Sequence, residues 1–356
     1  MWKFIDDILM MFQDCFSRSA AHKWFTLITS AFIVRSDKLG ITSVIRDLLL
    51  SSDCYEKMIH FFKAGSYDLH KLRQKWTRII ASMVHKVTIN DRYILVIDGV
   101  KQSKEGRRMP CVKKMAQESE TQSKPSMIFG HLWGGLGILI EDEHKLSCLL
   151  LSLRIHDGLK AMSKWCKDIV CESHVIEMIR DTISAFVNFD KDIYLLADRY
   201  FLSVNALKLI DEHNNNNSDE SRKIDIITKA KRNAIAYLEP EKKQRKTKGR
   251  RRLKGEAVKL MDLFKKKDTS FIKKNLKLYG KNKEVSYYCI DLLWGLKYYR
   301  KLRFVLVEYD NIRSILVSSD LECDPEDIIK LYSLRFRIET NFRELKQVLG
   351  GFSYRF

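Results

Sequence analysis

The sequence has no apolar run long enough to cross a membrane. Its longest apolar run, residues 126–140, contains His131 and is typical of a buried strand. The N-terminal segment, MWKFIDDILMMFQD, lacks the basic region of a secretory signal and carries two aspartates within a short apolar stretch. These absences favour a cytoplasmic protein without a membrane role.

The sequence also lacks cysteines at the spacing of a disulfide framework or a zinc module. Its 8 cysteines are scattered, mostly inside apolar stretches, which indicates reduced and buried thiols. Cys166, Cys171 and His174 could belong to a zinc site. No second pair of ligands follows at a useful spacing, so structural zinc is not expected.

Acidic residues are few relative to basic ones. Lys and Arg number 64 against 45 Asp and Glu, which gives a formal net charge of +19. A protein this basic is usually built to bind a polyanion, most often DNA or RNA. A ribosome-associated or merely adhesive basic protein is the alternative. The hydrophobic fraction of 45% and the length of 356 residues predict a globular chain of two or three units.

The periodicity of apolar residues divides the chain into four parts. Residues 1–88 predict helices, whose apolar stripes suit either a DNA-reading domain or any helical bundle. Residues 89–229 predict an α/β core, 230–310 a basic β-rich insertion, and 311–356 the rest of the core. Within the insertion, residues 242–254 hold nine basic side chains in thirteen and no acid. This run is either a solvated arm or a set of phosphate contacts.

Two predicted strands each lead into an aspartate. The run YILVI (93–97) ends at Asp98, and the run IYLL (193–196) leads to Asp198. Aspartates delivered at the ends of buried strands commonly form an ion site at the edge of an α/β sheet.

A helix near the C-terminus supplies a third carboxylate, Glu339. Asp324 and Pro325 are typical of a helix start, and the pattern predicts one helix that ends at the glycines 350–351. At about 100° per residue, one polar stripe beside the apolar face contains Tyr332, Arg335, Glu339 and Lys346. A carboxylate in this position can reach a site, but an ordinary Arg335–Glu339 pair on the helix surface is the alternative.

Asp98, Asp198 and Glu339 together form a cluster of negative charge that requires cations. Mg²⁺, which prefers oxygen ligands, is the expected partner. Two such ions can activate the attacking oxygen and stabilise the leaving oxygen in phosphodiester chemistry. The residues therefore predict a two-metal site acting on a nucleic acid.

The pattern Tyr332-x2-Arg335-x3-Glu339-x6-Lys346 resembles the signature of the cut-and-paste transposases of bacterial insertion sequences, the "insertion sequence four" group of the DDE class. The segments YILVIDG (93–99) and YLLADRYF (194–201) are similar to those that carry the first and second catalytic Asp of the group. The separations of 198 − 98 = 100 and 339 − 198 = 141 residues also suit the group. The resemblance spans residues 90–356.

The resemblance implies an RNase H-like mixed-sheet core with a helical N-terminal domain and a β-rich insertion. It also implies a nucleoid-associated homodimer that binds double-stranded DNA at terminal inverted repeats and at a target. Cleavage would proceed through a hairpin, and two Mg²⁺ ions, replaceable by Mn²⁺, would be held by Asp98, Asp198 and Glu339.

The resemblance further implies which residues contact DNA. Tyr332, Arg335 and Lys346 would hold phosphates near the cut, and Arg199 beside the second Asp is also expected to contact DNA. Trp294 is the candidate for stacking a flipped base, although a buried strand Trp is the alternative.

The chain departs from the group at its C-terminus. The sequence stops at Phe356, where members usually continue with helices that help dimerisation, so a truncated copy is expected. Two other functions therefore stay open. One is an RNase H-like nuclease without strand transfer, and the other is a DNA-binding relative that has lost activity.

Overall fold

The structure, a computed structural model, describes residues 1–352 except 36, 38–39, 107–108, 117–124, 143–144, 157–172, 217–221, 242–251, 267–269 and 349. Most of the basic run 242–254, both cysteines of the considered zinc site and the last residues, 353–356, therefore lie outside the described residues. In the part that is described, no helix is long and apolar enough to span a bilayer.

Helices fill most of the first 83 residues and flank the sheet that follows. They are α1 Trp2–Met10, α2 Ser19–Val34, α3 Ile41–Asp47, α4 Cys54–Lys63, α5 Leu69–Met83, α6 His174–Phe186, α7 Val204–Asn216, α8 Pro325–Leu334 and α9 Arg337–Gln347. Short 3₁₀ turns occur at Gln13–Cys15, Arg199–Phe201 and Leu260–Lys266.

The described strands join in one large mixed sheet. They are β1 Thr88–Ile89, β2 Arg92–Ser103, β3 Lys113–Ala116, β4 Met127–Asp142, β5 Lys145–His156, β6 Ile193–Ala197, β7 Ile224–Lys229, β8 Ile235–Tyr237, β9 Ala257–Lys259, β10 Ile272–Leu278, β11 Lys281–Trp294, β12 Arg300–Tyr309 and β13 Ile312–Ser318. The strand order is β3-β4-β2-β6-β7-β13-β12-β11-β8-β9, with β1 on β2, β5 on β4 and β10 on β11.

The centre of the sheet has the order β5-β4-β2-β6-β7. Strand β2 is parallel to β6, and β6 is parallel to β7, whereas β4 is antiparallel to both β2 and β5. The apolar runs predict these central strands correctly, because strands covered on both faces are apolar throughout. The mixed sheet confirms the predicted α/β class and is consistent with an RNase H-like core.

Alternate residues of β2 face two different layers of helices. Leu95 and Ile97 are buried in the cluster that contains Ile179 and Phe186 of α6. Ile94 and Val96 are buried in the cluster that contains residues of α8 and α9. Because side chains alternate along a strand, position 98 has the same orientation as 94 and 96 and faces the side of α8 and α9.

The strands predicted within 230–310 continue the central sheet. β12 pairs with β13, which pairs with β7, and β11 lies on the far side of β12. The antiparallel meander therefore extends the sheet outward from β7. The buried residues of β12, such as Phe304 and Leu306, belong to the same core cluster as Leu95.

The C-terminal helix differs from the single helix that the sequence predicts. Asp324 caps its start, accepting a hydrogen bond from the Glu326 amide at 2.8 Å, but the helix is interrupted at Arg335–Phe336. There the Arg335 amide bonds to the Tyr332 carbonyl at 3.2 Å and the Glu339 amide to the Phe336 carbonyl at 3.1 Å. These bonds span three residues instead of four, so the chain tightens into a 3₁₀ turn between α8 and α9.

A glycine in β4 lets α9 lie close to the sheet. Gly135 pairs with Asp98, and a Cβ at position 135 would lie 2.7 Å from the ring of Phe342. We expect Gly135→Ala to lower the free energy of unfolding by about 1–3 kcal/mol, because the buried ring of Phe342 has to shift. Urea denaturation measures this. Gly99→Ala is the control, since its Cβ would make ordinary contacts at 3.5 and 3.6 Å. Equal stability of the two variants would contradict this account.

Candidate active site

Adjacent parallel strands bring the first two carboxylates side by side. The last described pair of β2 and β6 is Ile97 with Ala197, and the next residues along the two strands are Asp98 and Asp198. Position 198 has the same orientation as Tyr194 and Leu196, which are buried on the side of α8 and α9. Both aspartates therefore lie on one face of the sheet. The prediction that β2 ends at Asp98 is wrong, because pairing with β4 carries β2 on to Ser103.

Hydrogen bonds fix the backbone around the two aspartates. The Gly99 amide donates to Oδ1 of Asp98 at 2.8 Å. The hydroxyl of Thr228 donates to the carbonyl oxygen of Asp198 at 2.8 Å, which ties the end of β6 to β7. A 3₁₀ turn, Arg199–Phe201, follows directly.

The helix α9 carries Glu339 to the same face, where Arg335 joins it to Asp98. Nη1 of Arg335 donates to Oδ2 of Asp98 at 2.6 Å, and Nη2 donates to Oε1 of Glu339 at 3.2 Å. Arg335 is 8% exposed and Asp98 17%, whereas Glu339 is 48% exposed. The guanidinium therefore bridges a buried carboxylate and a partly hydrated one. Packing of the buried Ile338 and Phe342 against the sheet holds α9 in this place.

The charges of the cluster act on one another. Burial raises the pKa of Asp98 to about 6, Asp198 and Glu339 contribute to the rise, and Arg335 and the Gly99 amide oppose it. Burial disfavours the charge of Arg335, but Asp98 and the other anionic groups outweigh it, so the pKa of Arg335 is raised. Three carboxylates with one guanidinium leave an excess of negative charge, a setting that attracts a further cation.

The donor set suits a hard divalent cation, since all three side chains offer carboxylate oxygens. In the described residues, however, no three His, Cys, Asp or Glu side chains are gathered closely enough to hold one metal ion. The guanidinium of Arg335 contacts the oxygens of Asp98 and Glu339 that a cation would bind.

A cleft of about 320 Å³ opens beside Asp198. Its charged wall consists of Asp198, Arg199, Lys229 and Arg335, and its aromatic wall of Tyr279, Tyr309, Tyr332 and Phe336. Three of the residues predicted to contact DNA, Arg199, Tyr332 and Arg335, thus line the cleft that the second Asp also lines. Burial raises the pKa of Tyr332 to about 12, so its hydroxyl keeps its proton and can donate a hydrogen bond.

The other two predicted DNA contacts lie elsewhere. Lys346 is exposed on α9, seven residues beyond Glu339 and therefore on a similar side of the helix. Trp294 ends β11, pairs with Arg300 and packs, half-buried, against the core cluster that contains Phe304. The described lining of the cleft does not include Trp294.

Lys229, Tyr279 and Tyr309 line the cleft although the sequence did not single them out. Lys229 is the last residue of β7, one position beyond the predicted strand 224–228, and β7 is parallel to the strand that delivers Asp198. A basic residue directly after a buried strand was therefore an available signal. Tyr279 lies in the turn between β10 and β11 with a φ of 52°, and no periodic pattern marks such a position.

Comparison with known proteins gives one informative match. Residues 151–356, more than half of the chain, match the model of a family described as "Transposase DDE domain". The match includes Asp198 and Glu339, and Asp98 precedes it. A search of curated proteins found no match.

Among solved structures, the chain is similar to the NurA nuclease from Sulfolobus solfataricus. The two sequences are 12% identical, and the alignment covers 81% of this chain and 86% of that chain with a TM-score of 0.26. A likeness this weak supports no conclusion about the fold or the site.

Proposed function

The chain belongs to the transposases with a DDE domain, and on that premise we propose that it cuts DNA at the ends of a mobile element and joins them to a target. The observation that carries the proposal is the position of Asp98, Asp198 and Glu339 on one face of the sheet. Strand register places the two aspartates side by side, and Arg335 bridges Asp98 and Glu339. The "insertion sequence four" group and a hairpin pathway are the finer parts of the proposal, suggested by the helix pattern.

In this proposal, Asp98, Asp198 and Glu339 hold two divalent ions, as is typical of transposase DDE domains. Such ions, when bound, activate the attacking oxygen and neutralise charge on the leaving oxygen. The protein's own part is to bind and orient the DNA. Tyr332 and Arg335 donate hydrogen bonds to phosphates from the wall of the cleft. Arg199 contributes charge from the same lining, and Lys346 contributes charge from the exposed side of α9.

Arg335 is proposed to serve two partners in turn. It bonds to Asp98 and Glu339, and its buried Nε has no hydrogen-bond partner among the described residues. If the same carboxylates hold divalent ions, the guanidinium of Arg335 loses these acceptors and its donors become free. A phosphate of the DNA then becomes the best acceptor within reach, because an Arg fork matches two phosphate oxygens.

The large positive charge supports DNA as the substrate. A net charge of +19 attracts a polyanion whatever its sequence, and each phosphate contact steepens the salt dependence of binding. The partner is proposed to be double-stranded DNA at the element's terminal repeats and at the target, bound by a homodimer.

A strand-joining assay tests the proposed function. The protein is incubated with Mg²⁺, a labelled duplex from either end of the element that surrounds the coding region, and a supercoiled plasmid. We expect cleavage at the element boundary and covalent joining of the labelled 3′ end to the plasmid. Cleavage without joined or hairpin products would favour the nuclease. Specific binding of the end duplex without cleavage would favour the inactive DNA-binding relative.

Lys346 tests whether the polar side of α9 contacts DNA. We expect Lys346→Ala to slow single-turnover cleavage about tenfold or more, because one charged hydrogen bond to phosphate contributes roughly 1.5–3 kcal/mol. Divalent metal affinity, measured in parallel, should not change.

Arg337→Ala is the matched control for Lys346→Ala. Arg337 is also exposed and lies nine residues before Lys346 on α9, which places it about 180° around the helix. Equal cleavage rates in the two variants would show that Lys346 is not part of the DNA-binding surface. The helix pattern as a set of DNA contacts would then lose much of its support.

A further inference from the structure

Lys229 is a half-buried cation that faces the cleft without a bonded partner. Its side-chain ammonium makes no hydrogen bond or ion pair with any residue in the described part of the chain, whereas most buried charges in proteins are paired. Burial lowers the pKa of Lys229, Asp198 opposes this fall, and Arg199, Arg232 and Arg335 add to it. An ammonium group kept in such surroundings is destabilising to the protein unless an anion binds there.

The backbone holds Lys229 firmly at this point. It is the last residue of β7 and pairs with Leu316 of β13, and the preceding residue, Thr228, is hydrogen-bonded to the carbonyl of Asp198 at 2.8 Å. The side chain therefore starts from the rigid centre of the sheet and not from a loop. Residues held on strands position charges more precisely than residues on loops.

The cleft around Lys229 is suited to a phosphodiester. Its charged lining consists of Arg199, Lys229, Arg335 and Asp198. Arg335 is already bonded to two carboxylates, so Lys229 is the cation of the cleft that is best placed to accept a new anion. The volume of about 320 Å³ lies within the ~300–1,000 Å³ of typical small-ligand pockets.

The aromatic wall adds donors to this charge. Tyr279 packs edge-on against Phe336 with ring centroids 5.6 Å apart, which sets the position of its ring. Tyr309 lines the cleft together with Tyr279, and burial raises the pKa of Tyr279, so its hydroxyl keeps its proton. Phenol hydroxyls beside an ammonium are the groups that commonly contact phosphate oxygens.

We propose that this cleft binds one backbone phosphate of the DNA next to the cut, with Lys229 as its principal ligand and the hydroxyls of Tyr279 and Tyr309 as further donors. The inference rests on the proposed function for the identity of the ligand. Since the contact is to the backbone, it fixes the register of the strand at Asp198 and is independent of base sequence.

The experiment measures DNA binding in EDTA with a set of end duplexes, each carrying a single neutral methylphosphonate at one position. For the wild-type protein we expect one position near the cut to weaken binding about tenfold, the loss of one charged contact. Lys229→Met should bind the unmodified duplex about tenfold more weakly. A methylphosphonate at that one position should not weaken the binding of Lys229→Met any further, because in a double-mutant cycle two groups that contact each other have non-additive effects. Lys231→Ala, an exposed lysine two residues away, is the control and should keep the wild-type sensitivity.

Thermal unfolding separates this role from a structural one. Met has a similar shape to Lys and no charge, so Lys229→Met should have a Tm equal to or above that of the wild type. A marked fall in Tm, or the same sensitivity to every methylphosphonate in Lys229→Met and in the wild type, would overturn the inference. Cleavage of the unmodified duplex in Mg²⁺ tests the proposed function separately. A position-specific effect without cleavage would support the phosphate site and contradict the transposase.

Discussion

Each of the substitutions Asp98→Asn, Asp198→Asn and Glu339→Gln is expected to slow DNA cleavage by at least about 10³-fold in single-turnover assays with Mg²⁺. The three side chains lie on one face of the sheet and offer oxygen ligands. If they hold the ions as proposed, neutralising one of them weakens the binding of the ions. Metal ions stabilise the transition state by several kcal/mol, and each 1.36 kcal/mol corresponds to a tenfold change in rate.

DNA binding separates this prediction from misfolding. Affinity for DNA comes mainly from Lys and Arg elsewhere, so all three variants should bind an end duplex within about twofold of the wild type. Glu344→Gln is the control, since Glu344 is exposed on the same helix α9, five residues beyond Glu339 and about 140° around it. Cleavage at the wild-type rate in any one of the three variants would remove that residue from the site.

Arg335→Ala is expected to lower the free energy of unfolding by about 3 kcal/mol. Removing one partner of a buried ion pair leaves an uncompensated charge, which typically costs 3–5 kcal/mol. Here the substitution leaves Asp98 buried beside Asp198 and Glu339 with no guanidinium between them. Urea denaturation in EDTA measures the loss, and Arg337→Ala, exposed at the start of α9, should be nearly neutral.

Added Mg²⁺ should recover part of this loss in Arg335→Ala. Magnesium at about ten times its Kd adds about 1.4 kcal/mol to the stability of a protein that binds it only when folded. The gain should be larger in Arg335→Ala than in the wild type if, as proposed, the ions bind the oxygens that Arg335 contacts. An equal gain in both proteins would show that Arg335 and the ions do not share these carboxylates.

The central strands were predictable from the sequence because a strand buried on both faces is apolar at every position, which the local sequence shows. The runs around Leu95 and Leu195 are apolar throughout, and each strand forms where the run predicts it. Since both runs lead into an aspartate at the same distance from their start, parallel pairing without a shift places Asp98 beside Asp198. Neither segment alone predicts the register between β2 and β6, but the register follows once the two strands are neighbours.

Other features depend on contacts that are distant in sequence. The extension of β2 to Ser103 requires β4, and the strands of 230–310 join the central sheet through β13. The interruption of the last helix at Arg335 coincides with the bond between this side chain and Asp98, 237 residues away. A helical wheel treats α8 and α9 as one regular helix and cannot include such a contact.

The wall of the cleft was not predictable for the same reason. Lys229, Tyr279 and Tyr309 come from three different strand ends and turns, and they meet only when β7, β10–β11 and β12 are assembled. Each is ordinary in its local sequence. The aspartates stood out because an acid at the end of a buried strand has few structural uses, whereas a surface tyrosine or lysine has many.

The location of bound manganese tests the central claim most directly. Anomalous diffraction from crystals of the protein with an end duplex and Mn²⁺, which can replace Mg²⁺ at oxygen ligands, reports the ions by their own scattering. We predict manganese peaks about 2.0–2.2 Å from carboxylate oxygens of Asp98, Asp198 and Glu339, with the guanidinium of Arg335 turned to a phosphate. Manganese bound elsewhere, with Arg335 still bridging Asp98 and Glu339, would contradict the assignment of these three residues as the metal site.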